Sequence, residues 1–306
     1  MKKSKYIILS VILIIFLLNI DLVIKAVYDS SLLFFNKVFV SVFPFIILCD
    51  ILLYYDYHIF LENIFGKIIS KLFNINKSCT IVFILSLLTC APSNAVYIKD
   101  LIDKKEISIK DGENILIFTS FSSISFVIGT IGVYLYKSIF IGIMLWFIVL
   151  INNIIIGLYL RNNNHIIDTT KLNNNIKKHK NIFILLKDST LKAINTSFII
   201  LGNIIIFTIV INIFLKYFNF NQIISSIIVG FLEMTNGIIM ISNLNINIIS
   251  KLFLTSFVLT FSSISILFQL FSILSDYKIN IKKILIIKLV FSSFWLMLFI
   301  LSIIFL

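Results

Sequence analysis

Charged residues are scarce in this chain of 306 residues. Only 13% of the residues are charged, 59% are hydrophobic, and the mean hydropathy is +1.08. A soluble domain of this length carries roughly a quarter charged residues, whereas apolar stretches of about 20 residues, enough to cross a bilayer, recur along the whole chain. The composition therefore predicts an all-α, polytopic membrane protein without a separate soluble domain, and the lipid bilayer is its first expected partner.

Cysteine is also rare, with Cys49, Cys79 and Cys90 all in or beside apolar runs. An odd number at these spacings gives neither a disulfide framework nor a metal-ligand pattern. We expect the three cysteines to pack in the core, and we expect no metal and no cofactor.

Catalytic motifs are absent as well. The sequence contains no His-Glu-x-x-His, no Gly-x-Ser-x-Gly and no phosphate-binding glycine loop. Its three histidines, His58, His165 and His179, lie outside the apolar runs, which argues against a buried Ser-His pair. These absences predict that the protein is not an enzyme.

Positive charge is abundant, since the net charge is +12, but the basic residues cluster in short loops between apolar runs. This distribution follows the positive-inside rule, so the charge predicts orientation and not binding to nucleic acid. The Asn- and Lys-rich interval from Arg161 to Lys180 is predicted to be a flexible cytoplasmic linker. We divide the chain into an N-terminal transmembrane helix (1–28), a first membrane repeat (29–160), the basic linker (161–187) and a second membrane repeat (188–306).

Two polar motifs occur in both halves of the chain. The pentapeptide Phe121–Ser125 returns letter for letter as Phe261–Ser265, each copy inside an apolar run. Upstream of each copy lies a second polar interruption, Ala91–Ala95 in the first half and Glu233–Gly237 in the second. Their common order and nearly equal separation favour a duplicated unit over chance repetition in a sequence rich in Ile, Phe, Ser and Asn.

The interrupted stretch Cys79–Ile98 decides the predicted topology. Three apolar segments separate the lysines at 67, 71 and 77 from the basic linker, and both basic regions are expected on the cytoplasmic side. One of the three segments must then fail to cross, and the interruption makes Cys79–Ile98 the candidate for a re-entrant hairpin. Each repeat would cross an odd number of times, which predicts an inverted repeat with broken or re-entrant helices.

The interruptions are also the predicted binding site. Unwound backbone is tolerated in hydrocarbon only where protein or water covers it. Pro92 removes a backbone donor, Asn94 and Asn236 suit helix caps, and Gly237 permits a turn. Each interruption would join two half-helices, whose N-termini suit an anionic ligand. The alternative is a pair of structural kinks packed against neighbouring helices.

The predicted substrate-binding set combines both interruptions with the serine motifs. The alternative for the serines is a packing role, as small residues that let helices approach closely. The set consists of Pro92, Ser93, Asn94, Ser122, Ser123, Glu233, Thr235, Asn236, Gly237, Ser262, Ser263 and Gln269.

Two carboxylates are candidates for coupling to a cation or a proton. Glu233 lies well inside an apolar run, where a carboxyl group is costly unless it is paired, protonated or hydrated. Asp50 lies near the end of its predicted helix, and the alternative for this residue is a simple interfacial position.

The motifs together resemble one family, the sporulation integral membrane proteins of YlbJ type. This family belongs to the nucleoside-recognition "Gate" domain group, which is related to concentrative nucleoside transporters. The most specific part of the resemblance is the pattern Gly-x-x-Glu-x-Thr-x-Gly, while Asn94 and Val96 stand where the family has glycine and lysine. In chain order the matching segments are Phe43–Phe45, Ala91–Ala95, Gly230–Gly237, and Ser262–Ser263 with Gln269.

The resemblance implies an endospore-forming bacterium and a role in spore development. Proteins of this type are linked to movement of dipicolinic acid from the mother cell towards the forespore. The expected location is the bacterial cell membrane, or the outer forespore membrane derived from the mother cell. The predicted function is transport of a small polar or anionic solute, with dipicolinic acid as the candidate. A nucleoside transporter and a non-transporting sporulation membrane assembly factor are the alternatives.

Overall fold

The computed structural model describes residues 2–55, 57–89, 91–163 and 181–305. These ranges form α-helices with a few π-helical and 3-10 segments, and they contain no β-strand. Five helical segments are long and apolar enough to cross a membrane, which confirms the prediction of an all-α polytopic membrane protein. The five segments are Ile20–Tyr54, Ile139–Leu160, Ile182–Tyr217, Ile248–Ile273 and Ile281–Ile304.

The described α-helices are numbered along the chain. Two shorter π-helical segments cover Phe34–Phe39 and Glu62–Gly66, and a long π-helix covers Ser125–Leu135. The α-helices are α1 (Lys2–Leu18), α2 (Ile20–Leu33), α3 (Val40–Tyr54), α4 (Tyr57–Leu61), α5 (Lys67–Phe73), α6 (Lys77–Thr89), α7 (Ser93–Asp103), α8 (Ile109–Thr119), α9 (Ile139–Leu160), α10 (Ile182–Tyr217), α11 (Gln222–Leu232), α12 (Met234–Ser242), α13 (Ile248–Phe261), α14 (Ile264–Ile273) and α15 (Ile281–Phe305).

The structure bears on two of the predicted segment boundaries. The first helix ends at Leu18, and Asn19 separates it from α2. The predicted boundary at residue 28 lies inside α2. A single 3-10 turn, Arg161–Asn163, follows α9. Residues 164–180, most of the predicted linker, lie outside the described residues, and the cytoplasmic location of the linker stays a prediction.

Helix α10 runs antiparallel to the α2–α3 segment. At one end Lys216 Nζ donates to Asn19 Oδ1 at 2.7 Å, and at the other Lys192 Nζ donates to Asp50 Oδ1 at 2.5 Å. The pairs follow reverse sequence order, so the two segments run in opposite directions. We call the end that holds Asp50 the linker end, because α10 begins there directly after the linker.

Helices α6 and α7 form a hairpin, called here the first hairpin. The chain turns back at residues 91–92, and Asn76 Nδ2, before α6, donates to the carbonyl oxygen of Glu106, after α7, at 3.4 Å. Both ends of the hairpin therefore lie at one end of the bundle, which is the geometry predicted for a re-entrant segment. Nearby, Asn74 Nδ2 donates to the carbonyl oxygen of Arg161 at 3.4 Å, so α9 ends at the same place.

The helix that follows the first hairpin is broken in the middle. Helix α8 begins after its N-cap residue Ser108, whose Oγ accepts the Asp111 N–H at 3.1 Å. Residues 120–123 have no regular structure, and the chain then continues as the long π-helix. The wider π-helical turn is rare and is found mostly near functional sites.

Helices α11 and α12 form the second hairpin, and its two arms cross very closely. A Cβ placed on Gly237 would lie 2.1 Å from Gly230 Cα, so Gly237 has no room for a side chain. At the open end of this hairpin, Lys251 Nζ donates to the carbonyl oxygen of Ser242 at 2.9 Å.

The last two spans repeat the order found in the first half, in which a broken helix is followed by an unbroken one. Helix α13 ends at a break formed by Ser262 and Ser263, after which α14 continues and α15 returns. Ser250 Oγ lies 2.9 Å from Ser302 Oγ, which joins the start of α13 to the end of α15. An ion pair from α7 to the loop after α14, described below, places the end of α14 at the linker end. The second hairpin therefore opens at the opposite end from the first.

Aromatic pairs connect each hairpin to the broken helix of its own half. Phe121 packs on Phe83 of α6 with ring centroids 5.6 Å apart, and Phe261 stacks on Phe231 of α11 at 4.6 Å. Phe121 and Phe261 are the first residues of the two copies of the serine pentapeptide. Each packs on a phenylalanine in the first arm of the hairpin of its own half. Superposition of the two halves as an inverted repeat stays a prediction.

Candidate functional site

The helix breaks surround a central cavity of about 50 Å³, room for a few water molecules. Each of the four breaks contributes to its wall directly or through an adjacent residue, and α10 and the α2–α3 segment complete an apolar side. The lining residues are Val38, Val42, Ala91, Phe121, Ser122, Ser123, Phe126, Ile200, Ile204, Glu233, Met234, Thr235, Ser265, Ile266 and Gln269.

Hydrogen bonds hold the tip of the first hairpin against the break in the α8 region. The Ala91 N–H donates to the carbonyl oxygen of Phe121 at 3.0 Å. Asn94 Nδ2 lies 3.3 Å from Thr119 Oγ1 and 3.4 Å from Ser120 Oγ. The Asn94 side chain therefore anchors the hairpin to α8 and does not line the cavity.

Two contacts join the breaks of the first half to those of the second. Ser122 Oγ donates to Met234 Sδ at 3.5 Å, and Ser262 Oγ lies 3.5 Å from the carbonyl oxygen of Ser120. The breaks of both halves thus meet at the centre of the bundle, where the sequence predicts a common site.

Glu233 forms the N-cap of α12. Its backbone is extended, with φ −139° and ψ 120°, and its carboxylate accepts the N–H groups of Thr235 at 3.1 Å and Asn236 at 2.7 Å. The side chain is only 2% exposed, so these charge-assisted bonds and the positive end of α12 offset part of the cost of burying it. The carboxylate that lines the cavity is therefore held by its own helix.

The side chain of Asn236 points to a different partner. Its Nδ2 donates to Thr208 Oγ1 on α10 at 2.8 Å, so this amide ties the second hairpin to α10. Asn94 and Asn236 thus have the same structural role, because each anchors its hairpin tip to a neighbouring helix.

Helix α7, in contrast, begins without a side-chain cap. Pro92 occupies the N-cap position and offers no side-chain acceptor. Ser93 Oγ and Asn94 Oδ1 are buried and have no hydrogen-bond partner among the described residues. The polar groups at this tip are available to a ligand or to water.

The cavity contains part of the predicted substrate-binding set. Ser122, Ser123, Glu233, Thr235 and Gln269 line it together. The structure places the remaining predicted residues beside the cavity, in the hairpin tips and the second serine break, and not in its wall. These are Pro92, Ser93, Asn94, Asn236, Gly237, Ser262 and Ser263.

Asp50 lies away from the cavity-lining residues. Its carboxylate accepts from Lys192 Nζ at 2.5 Å and from Ser189 Oγ at 2.7 Å, both on α10. This ion pair holds α3 and α10 together at the linker end. A role for Asp50 in coupling to a cation or a proton stays a prediction.

Among the buried charged residues that sequence reasoning missed is Lys288 on α15. Its side chain is 0% exposed, and its Nζ donates to Ser262 Oγ at 3.0 Å. A single lysine inside the apolar run that closes the chain was the available signal. The sequence also gives no sign of the apolar wall of the cavity, because the apolar residues of α3 and α10 are not confined to one helix face.

Polar contacts at the linker end connect the first hairpin to the second half. Lys99 pairs with Asp276, and Tyr277 donates to the Asp103 carboxylate. We call these two contacts the latch. The hydrogen bond to Asp103 raises the pKa of Tyr277, which lies in the loop between α14 and α15, to about 12. Within the described part of the chain, no group of three or more His, Cys, Asp or Glu side chains could hold a metal ion.

Comparison with known proteins gives one curated relative to report. The chain is 22% identical, over 296 residues, to the sporulation integral membrane protein YlbJ of Bacillus subtilis strain 168. The match covers 84% of this chain and 72% of that protein. No family model and no solved structure matches the chain. The similarity supports the resemblance to the YlbJ type, and together with the apolar spans it identifies an integral membrane protein.

Proposed function

We propose that this protein is a sporulation membrane transporter that moves a small polar or anionic solute, with dipicolinic acid as the candidate. The observation that carries the proposal is the cavity enclosed by helix breaks from both halves. Broken helices that meet around a cavity inside a bundle are the arrangement by which many transporters bind their solutes. The similarity to a sporulation integral membrane protein supports the setting in spore formation.

The size of the cavity implies that transport requires a conformational change. At about 50 Å³ it holds a few water molecules, whereas ligand pockets usually measure roughly 300–1,000 Å³. A pyridine dicarboxylate enters only if the hairpins or the broken helices move apart. The hairpins open at opposite ends of the bundle, so movement of one or the other would expose the cavity to one side at a time.

The charge of Glu233 constrains how an anionic solute is carried. Its carboxylate lines the cavity and would repel a second anion at close range in a low-dielectric site. A bound cation or a proton at Glu233 removes this repulsion. We therefore propose that the solute and a cation or proton enter the site together, with Glu233 as the coupling residue.

A nucleoside is the second candidate solute. Apart from Glu233, the polar side chains that line the cavity are neutral hydroxyl and amide groups, including Ser122, Thr235 and Gln269. Such groups match the hydroxyls of a ribose and the edge of a base. This composition keeps nucleoside transport as an alternative to transport of a dicarboxylate.

Uptake into proteoliposomes tests the proposal. Full-length protein is reconstituted with outward and inward gradients of protons or Na⁺, and accumulation of radiolabelled dipicolinate and of nucleosides is measured. Uptake of dipicolinate above that of protein-free liposomes, with competition by unlabelled dipicolinate and not by nucleosides, is the expected result. Uptake of nucleosides alone would favour the second candidate. If neither solute enters under any gradient, the protein is a non-transporting membrane factor.

A further inference from the structure

Lys288 is a charged residue without a counter-charge. Its Nζ has three donors, and among the described residues it donates to the neutral hydroxyl of Ser262 at 3.0 Å. The ion pairs Lys99 with Asp276 and Lys192 with Asp50 do not involve Lys288. Burying an ammonium group costs several kcal/mol unless a charge or several acceptors compensate it. The chain retains this cost inside a helix long and apolar enough to cross a membrane.

A second positive feature lies at the same break. Helix α14 spans ten residues and begins after Ser263, and no side chain caps its free N–H groups. The N-terminus of a helix carries about half a positive charge and attracts anions. At the comparable start of α12, the Glu233 carboxylate fills this role. At the start of α14 the ammonium group of Lys288 lies nearby, because it donates to Ser262 Oγ.

The backbone at this break is strained. Ser262 has φ 70° and Ser263 has φ 48°, in the left-handed region that residues other than glycine rarely adopt. Such conformations persist where the surroundings hold them, and they cluster at functional sites. Ser262 Oγ also lies 3.5 Å from the Ser120 carbonyl oxygen, and Ser122, Ser123 and Ser265 line the cavity. Ser262, which accepts the hydrogen bond from Lys288, lies three residues before Ser265, which lines the cavity.

We propose that Lys288 is a binding residue for a carboxylate group of the solute, completed by the Ser262 hydroxyl and the N–H groups at the start of α14. A carboxylate supplies the charge and the acceptors that the chain leaves out at this position. The inference rests on the proposed transport of an anionic solute and adds the group that recognises its charge. With Glu233 at one break and Lys288 at another, a dicarboxylate would enter the site in a defined orientation.

Affinity measurements on purified full-length protein test this assignment. The probes are pyridine-2,6-dicarboxylate and its neutral analogue pyridine-2,6-dicarboxamide, and binding is measured by calorimetry alongside the uptake assay. Lys288→Met keeps the length and apolar stem of the side chain and removes the charge. Lys288→Arg keeps the charge, and Lys282→Met removes an exposed lysine from the same helix.

We expect Lys288→Met to fold as well as wild type, because an apolar side chain replaces a buried charge. Its affinity for the dicarboxylate should fall about ten- to hundredfold, the range for hydrogen bonds to charged groups, while its affinity for the dicarboxamide should not change. Lys288→Arg should restore part of the loss, and Lys282→Met should bind like wild type. A purely structural lysine would alter both probes equally.

The outcomes separate this inference from the proposed function. If wild type transports dipicolinate and Lys288→Met binds the dicarboxylate equally well, the assignment of Lys288 is wrong and transport stands. If the charge-selective loss occurs without any transport, Lys288 binds carboxylate and the proposed function is wrong. Wild-type protein that neither binds nor transports the dicarboxylate contradicts both.

Discussion

The tips of the two hairpins, residues 91–94 and 232–236, reach the same cavity but begin their second arms differently. Helix α12 starts at Glu233, whose carboxylate accepts two backbone N–H groups and lines the cavity. Helix α7 starts after Pro92 without a side-chain cap, and Ser93 Oγ has no partner among the described residues. The second tip carries its own anion, whereas the first leaves polar groups available. A similar motif in each half has therefore acquired a different charge and a different chemical role.

The tightest contact distinguishes the second tip and predicts the largest effect. A Cβ on Gly237 would lie 2.1 Å from Gly230 Cα, and two backbones cannot relieve such a contact by a rotamer change. Overpacking usually costs about 1–3 kcal/mol and occasionally more, so we expect Gly237→Ala to lose about 3 kcal/mol or more. A lowered melting temperature of purified protein measures the loss.

Gly202→Ala on α10 is the matched control, because nothing lies within 4 Å of its added Cβ. Alanine in a helix is favoured over glycine by about 1 kcal/mol, so this variant should be as stable as wild type or more stable. The first hairpin contains no glycine, so the close crossing is peculiar to the second. A Gly237→Ala protein that melts like wild type would contradict the observed crossing.

Removing the charge at the second tip should abolish the difference between the tips. Glu233→Gln keeps size and hydrogen bonding, and the stability should change by no more than about 1–2 kcal/mol, the usual range for a cap. Hydrogen bonds to charged groups contribute about 1.5–3 kcal/mol, so we expect flux in proteoliposomes to fall about tenfold or more. The dependence of flux on the ion gradient should disappear as well.

Glu113→Gln provides the control for a buried acid outside the cavity. Glu113 is buried, and its carboxylate accepts the Asn280 N–H at 2.6 Å. This substitution should affect stability and leave the gradient dependence of flux intact. Near-normal, gradient-dependent flux through Glu233→Gln at equal expression would remove Glu233 from the coupling role.

The first tip should respond more weakly. Ser93→Ala removes a buried hydroxyl that has no partner among the described residues, so stability should not fall. If the hydroxyl binds solute, affinity for dipicolinate should drop about two- to tenfold, the value of one neutral hydrogen bond. Ser86→Ala, which removes a hydroxyl bonded to the Val82 carbonyl oxygen in its own helix, should leave affinity unchanged. Equal affinity in both variants would limit the site to the second tip.

The sequence predicted two of the breaks, the interruption in Cys79–Ile98 and the Glu233–Gly237 segment, because polar residues stand out in apolar runs. The structure also breaks the helices at both serine motifs, which the sequence had placed inside continuous spans. The membrane class followed from composition alone. These features depend on local chemistry, which is readable without knowledge of the fold.

The orientation of side chains at the breaks was not predictable. Periodicity reveals which face of a helix is buried only when polar residues mark the other face, and polar residues do not mark one face of α3, α6, α10 or α13. The sequence therefore did not separate Ser122, which lines the cavity, from Asn94, which bonds α8. The long π-helix and the burial of Lys288 likewise depend on neighbouring helices that are distant in sequence.

The smallest predicted effect concerns the open ends of the hairpins. The latch joins the first hairpin to the second half through Lys99 with Asp276 and Tyr277 with Asp103. At the open end of the second hairpin, Lys251 bonds the Ser242 carbonyl oxygen within its own half. Opening of the first hairpin must therefore break contacts between the halves. Opening of the second hairpin leaves the latch intact.

Tyr277→Phe removes one latch contact and should make the first hairpin exchange faster. Its hydroxyl is exposed, so the expected rise in backbone hydrogen exchange over residues 99–108 is at most about fivefold, with no change over residues 242–247.

The pKa of Tyr277 is raised from 10.0 to about 12 by the bond to Asp103. The bond is therefore complete below pH 10 and is lost only as the pH rises through about 12. Between pH 6 and 8 the latch should stay closed, so hydrogen exchange corrected for intrinsic rates should not depend on pH. Tyr159→Phe, which removes an exposed hydroxyl elsewhere, is the control. Equal exchange in both variants, or a rise at both hairpins, would show that the latch does not restrain the first hairpin.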